Sequence, residues 1–149
     1  MPSVDFYLLK PSAEDPVQRV LMTVCKLVEK AFAAGFTVFC RVSDEATAAY
    51  LDKLLWTFKD VSFIPHGLVG GSEVFPVMIG VGDANFEGSS SGHVVIMNAC
   101  FEPISDELLG RAARVCEVVS WDDGAKQAAR ARYKGYQGRG GFELRTHEV

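Results

Sequence analysis

The first 42 residues change hydrophobic period twice, and few folds accommodate that pattern. Residues 4–9 (VDFYLL) form a short aliphatic and aromatic run ending at Lys10-Pro11, which predicts a buried, central strand. Over 15–34, Val17, Val20, Leu21, Val24, Leu27, Val28 and Ala31 recur at helical spacing. Pro16 suits the first helical position and Gly35 follows the end. Residues 36–42 (FTVFCRV) return to a β-rich composition. Strand, long helix and strand make a βαβ unit with a right-handed crossover, so the sheet it starts is parallel.

The same alternation continues. Ser43 is the expected N-cap of a second helix reaching Phe58, with Asp44 and Glu45 favouring its dipole. Ala46, Tyr50, Leu54 and Phe58 step by four and are expected to face the core. Trp56 then projects to the far side beside Asp52, Lys53 and Lys59, where a large aromatic is either an interface anchor or is covered by the following loop. That loop, 61–72 (VSFIPHGLVGGS), puts Phe63, Ile64, Pro65 and Leu68 on backbone that Pro65 and the glycines keep from being a regular central strand. Residues 75–81 (FPVMIGV) and 93–98 (HVVIMN) read as buried strands around a Gly- and Ser-rich loop, 82–92. A helix over 105–113, a strand over 115–121, a basic helix and a short edge strand at 142–144 complete the order. With 48% apolar residues in 149, the chain can bury one proper core. The predicted architecture is one domain over 1–149, a three-layer α/β/α sandwich with a mainly parallel central sheet.

No apolar run approaches the roughly 20 residues that span a bilayer, and MPSVDFYLLK lacks a signal-peptide pattern. A cytoplasmic protein with no membrane partner is expected. Cys25, Cys40, Cys100 and Cys116 are far apart, without a C-x-x-C pair, and read as buried free thiols; no metal is predicted.

A sheet of this kind invites a nucleotide. Yet no strand-to-helix junction carries G-x-G-x-x-G or G-x-x-x-x-G-K-[ST], and Gly67, Gly70 and Gly71 precede neither a Lys-Ser or Lys-Thr pair nor a helix. The fold expected is nucleotide-binding-like without a phosphate loop, and no cofactor is predicted. Ser89, Ser90 and Ser91 lack G-x-S-x-G. Cys40 or Cys100 with His66, His93 or His147 is the remaining enzymatic pairing, but thiols in strand interiors are dulled by burial. His93 reads as a strand-end residue, His147 as part of a frayed tail, and His66 as ordering its own loop. No catalytic residue is predicted; the alternative is a small nucleotide-binding-like α/β enzyme of unidentified substrate.

The segment 121–136 (WDDGAKQAARARYKGY) concentrates cations in a chain of net charge −4. On a helix begun by Asp122 and Asp123, Lys126, Arg130, Tyr133 and Lys134 share one face, beside a stripe of Ala125, Ala129 and Tyr136. Arg132 is expected on the opposite side, and Gly135 and Gly138 mark the predicted end. Such a face can simply be solvated. Nucleic acid is usually met by a basic domain, so direct binding fits poorly. A basic pocket with an aromatic rim fits a short acidic peptide ending in a free carboxylate.

FYLL at 6–9, Leu55-Trp56, SF-x-PH at 62–66 and, above all, KQ-x-AR-x-RYK-x-Y at 126–136 resemble the chi subunit family of bacterial DNA polymerase III holoenzymes over nearly the full length. The resemblance implies a nucleotide-binding-like fold without a nucleotide site. It further implies an adaptor that bridges the psi subunit of the clamp loader to the acidic C-terminal tail of single-stranded-DNA-binding protein, touching nucleic acid only indirectly. By the same resemblance Lys126, Arg130, Tyr133 and Lys134 would receive the tail, with the tyrosine bounding a slot for its terminal phenylalanine. Trp56, Phe63, Pro65 and His66 would face psi. The loop 82–92 and the QGRGG segment before Phe142 depart from the family pattern.

Overall fold

The computed structural model describes residues 2–59, 63–83, 86 and 93–149. In chain order its elements are β1 (Ser3–Leu8), α1 (Pro16–Ala33), β2 (Thr37–Val42), α2 (Glu45–Thr57), β3 (His66–Leu68), β4 (Val77–Val81), β5 (Val94–Asn98), α3 (Asp106–Leu109), β6 (Ala112–Val119), α4 (Asp123–Arg139) and β7 (Glu143–Glu148). The strands form one sheet in the order β3-β4-β2-β5-β6-β1-β7, and every pair is parallel. The sandwich expected from the sequence is present, with a sheet that is wholly rather than mainly parallel.

Successive strand residues point to opposite faces, so the core has two halves. Leu21, Val24, Val28, Leu51 and Leu55 of α1 and α2 pack on one face, against Val38, Cys40, Met97 and Val118. Leu108, Leu109, Ala125, Ala129 and Tyr136 of α3 and α4 pack on the other, against Phe6, Ile96 and Val115. α1 begins as read, with Asp15 Oδ2 accepting from the Gln18 N–H at 3.1 Å and Pro16 in the first turn.

Several boundaries differ from expectation. β1 is an interior strand between β6 and β7, one place from the edge rather than central. The N-cap of α2 is Asp44, which accepts from Thr47 N at 2.7 Å, not Ser43. Its core stripe is Ala48, Leu51 and Leu55, while Ala46 is exposed, Tyr50 is 36% exposed and Leu54 and Phe58 are only partly buried. A ladder of strict four-residue steps drifts about 40° per step on a helix of 3.6 residues per turn, so it cannot hold one face. α3 is a single turn capped by Ser105, because Ala112 is already paired with Val94 in β6.

α4 runs through Gly135 and Gly138 and stops at Gly140, which takes a positive φ of 70°. β7 is twice as long as expected, and His147 is no frayed tail. The buried Asp5 carboxylate accepts from His147 Nε2 at 2.8 Å and Arg114 Nε at 2.9 Å and forms an ion pair with Arg145, whose Nε lies 3.2 Å away, while the His147 ring stacks on Tyr7. These bonds fasten the edge strand. Burial works to raise the Asp5 pKa, but His147 and the two arginines outweigh it and hold the carboxyl below its ordinary range. Within the loop 61–72, His66, Gly67 and Leu68 form the opposite edge strand; Val61 and Ser62 lie outside the described residues, as do Ser89, Ser90, Ser91 and most of 82–92.

Candidate functional site

Two places on the surface gather the residues singled out in the sequence. The first is a cavity of about 280 Å³ between α4 and the carboxyl-terminal halves of β1, β6 and β7. α4 docks through Ala125 and Ala129, and the small size of Ala129 leaves space above Phe6, Leu8 and Val119. Tyr133 is half-buried and walls this space, its ring 5.4 Å from that of Phe6 and tilted by 54°. Lys126 and Arg130 line its mouth, and Lys134 is exposed on the next turn without reaching the lining. Among the described residues none of these three cations makes an ion pair. The strand residues of the floor, and Thr146 of β7, were not anticipated. The run FYLL signals a strand, but nothing local says which of its side chains meets a helix formed more than a hundred residues later.

Arg132 lies off the Lys126 and Arg130 face, as the spacing predicts, but it is buried rather than solvated. It continues the buried stripe of Ala125, Ala129 and Tyr136 and points into the molecule, 6% exposed. The i, i+4, i+7, i+11 spacing already contained that placement; the charge argued against it. Arg132 Nε donates to Glu117 Oε1 at 3.0 Å and its Nη1 to the Phe101 carbonyl at 3.0 Å. Tyr136 Oη donates to Glu117 Oε2 at 2.7 Å, and Asn98 Nδ2 to Glu117 Oε1 at 2.7 Å. Burial, then the Glu117 charge, pushes the Tyr136 phenol well above its ordinary pKa, so it remains a donor.

This network reaches the place where related folds bind ligands. α2 leaves β2 on one face and α3 leaves β5 on the other, so the chain diverges between these neighbours, and in doubly wound sheets the crevice beyond such strand ends takes the ligand. Here Arg41 occupies the part toward α3, 1% exposed. Its guanidinium donates to Asp83 Oδ1 at 2.8 Å, Asn98 Oδ1 at 3.0 Å, and the carbonyls of Glu102 and Pro103 at 2.7 and 2.8 Å. Arg41, Asn98, Glu117, Phe6 and Thr146 are register partners across five strands, so one row carries both the buried polar network and the floor of the α4 cavity.

All four cysteines are buried and free, and burial pushes Cys25 and Cys116 up to about 12 and raises Cys40 as well. Such thiols are protonated at neutral pH. Cys40 lies inside β2 as expected, whereas Cys100 follows β5 rather than sitting within it. His93 Nε2 donates to the Gly35 carbonyl at 3.2 Å, and its ring tilts against Phe36, a strand-end role. No helix among the described residues is long and apolar enough to cross a membrane.

The second place lies at the β3 edge. Trp56 is 50% and Phe63 69% exposed, with ring centroids 5.6 Å apart. Pro65 is half-buried and Ile64 anchors the loop in the core. His66 is buried under Trp56, centroids 4.5 Å apart. Its Nδ1 lies 2.6 Å from the Ile64 carbonyl and its Nε2 2.9 Å from the Asp52 carbonyl, so it ties loop to α2, the ordering role read from the sequence.

Residues 1–144 match the family described as "DNA polymerase III chi subunit, HolC". The chain belongs to the DNA polymerase III chi subunit family. It is 34% identical to the DNA polymerase III subunit chi of Pseudomonas aeruginosa over 149 residues, covering 100% of this chain and 98% of that protein. It is 29% identical to the subunit chi of Escherichia coli over 148 residues, covering 98% and 97%. The Haemophilus influenzae subunit chi is 25% identical over 150 residues. This chi-family chain is therefore a replication accessory subunit, with protein partners in the polymerase III holoenzyme.

Proposed function

We propose that this one-domain chain is a non-catalytic, cytoplasmic adaptor of the holoenzyme, which bridges the psi subunit of the clamp loader to the acidic C-terminal tail of single-stranded-DNA-binding protein. The observation that carries the reading is the α4 cavity, an apolar slot whose mouth carries Lys126 and Arg130, cations that make no ion pair among the described residues. A terminal phenylalanine offers an apolar ring beside a full α-carboxylate charge, and this receptor has both complements within one helix face. Tyr133 bounds the slot, and Lys134 meets acidic residues further up the tail. Psi docks on the exposed pair Trp56 and Phe63 with Pro65, and His66 acts from beneath by holding Trp56 in place. Contact with nucleic acid is then indirect.

The competing reading, a nucleotide-using enzyme, has no glycine-rich phosphate loop at any strand-to-helix junction of the sequence to support it. The test is calorimetric titration of an acidic peptide ending in phenylalanine. Removing a charged hydrogen-bond partner costs about 1.5 to 3 kcal/mol, so Arg130→Ala is expected to weaken binding roughly tenfold to a hundredfold. Lys30→Ala, a charge change on α1, is expected to leave it unaltered. Equal binding of a peptide lacking the last phenylalanine, or saturable ATP or NAD binding, overturns the assignment.

A further inference from the structure

On the other side of α4 lies a second cavity, of about 250 Å³, over the carboxyl-terminal ends of β2, β5 and β6. The amino-terminal halves of α1, α2 and α4 surround it. Its floor is apolar, from Val20, Leu21 and Val118. Its mouth carries Val17 and Phe101, 49% and 56% exposed. Apolar side chains held in water at the rim of an apolar cavity are the arrangement of a docking surface.

The charge of the wall says what kind of segment fits. Asp44 and Asp122 both line the cavity, each capping a helix, with Thr47 N at 2.7 Å and Ala125 N at 3.1 Å. The Thr47 amide holds Asp44, and the Ser120 hydroxyl and then the Ala125 amide hold Asp122, below the ordinary carboxylate range. Neither makes an ion pair among the described residues; Lys126, one turn along α4, is felt by Asp122 without bonding to it. Arg132 is the single cation lining the cavity among the described residues, and Glu117 and the Phe101 carbonyl engage it.

We propose that this cavity docks a protein segment in which an aliphatic or aromatic side chain is flanked by lysine or arginine. The apolar residue enters over Val20 and Val118 beside Phe101, and its basic neighbours meet Asp44 and Asp122. The site is the charge inverse of the α4 pocket, so an acidic tail is repelled here and the two cavities select different segments. This holds whether or not the tail reading is correct.

The probe is the amidated hexapeptide Lys-Lys-Leu-Phe-Lys-Lys, titrated into isotope-labelled full chain by amide NMR. The expected result is saturable shifts at Val17, Val20 and Phe101. Phe101→Ser, a change at an exposed side chain, is expected to abolish them. Asparagine caps a helix as well as aspartate, so the double variant Asp44→Asn with Asp122→Asn keeps the fold, and it is expected to weaken binding roughly fivefold, the scale of two solvent-facing ion pairs. Lys30→Ala, a charge change at an exposed residue outside the cavity lining, is expected to leave the shifts unaltered. The proposal is overturned by shifts centred on Arg130 and Tyr133, by no shifts at millimolar peptide, by equal binding of Glu-Glu-Leu-Phe-Glu-Glu, or by wild-type affinity in the double variant.

Discussion

Arg130 and Arg132 are two positions apart and sit in opposite environments. The first is exposed and makes no ion pair among the described residues, while the second is locked to a carboxylate that is itself fully buried. Breaking a buried pair leaves an uncompensated charge, at about 3 to 5 kcal/mol. Arg132→Met should therefore lower the urea midpoint sharply, and adding Glu117→Gln should restore part of the loss by removing the stranded charge; a midpoint unchanged in Arg132→Met refutes the buried pairing. At Asp122 the effect is one of pH. Its folded pKa lies below the ordinary aspartate value, so its contribution is present above that ordinary value and is lost as pH falls through the folded one. Melting temperatures measured from pH 5 down to about pH 2 should fall less steeply for Asp122→Asn, which keeps the cap without titrating.

At the scale of elements, α4 is built with reserve. Gly135 and Gly138 lie inside it, and a Cβ at either meets nothing within 4 Å. Glycine in a helix interior is less favourable than alanine by about 0.8 to 1.0 kcal/mol, so Gly135→Ala should raise stability by up to that amount in denaturant titration; a destabilised variant would mean the helix is interrupted there. The two glycines also show where sequence reading stops. α1 was legible nearly to the residue, because cap, Pro16, apolar spacing and Gly35 agree. The end of α4 was not, since packing of Tyr136 against Phe6 and Phe142 carries the helix past residues that alone would end it. β7 was half-missed because ELRTHE has no apolar signature; ion pairs to Asp5 fix it. In the site, the cationic face and Tyr133 were readable from spacing, as was the exposure of Trp56. The slot's floor was not, because strands distant in sequence supply it.

For the whole molecule, the two proposed surfaces stand near opposite edges of the sheet. From β3 to β1 there are five steps of strand spacing, or about 24 Å at roughly 4.8 Å each. Distant sites without shared partners act additively. Trp56→Ala with Phe63→Ala should therefore abolish psi binding while leaving both the melting temperature and acidic-tail affinity at wild-type values, and Arg130→Ala should do the reverse. A large loss of tail affinity in the aromatic variant would show that the surfaces are coupled.

The position of β1 has a further consequence for how the chain is made. Asp5 precedes Arg114 by 109 residues and His147 by 142. Pairings of such sequence separation form late, after long loops have closed. A growing polypeptide on the ribosome holds its first strand without either neighbour until β6 and then β7 emerge, exposing an aggregation-prone edge throughout. The α4 slot, assembled from β1, β6 and β7 together, is accordingly among the last surfaces to come into being, and a chain still being translated lacks the pocket proposed to take an acidic tail.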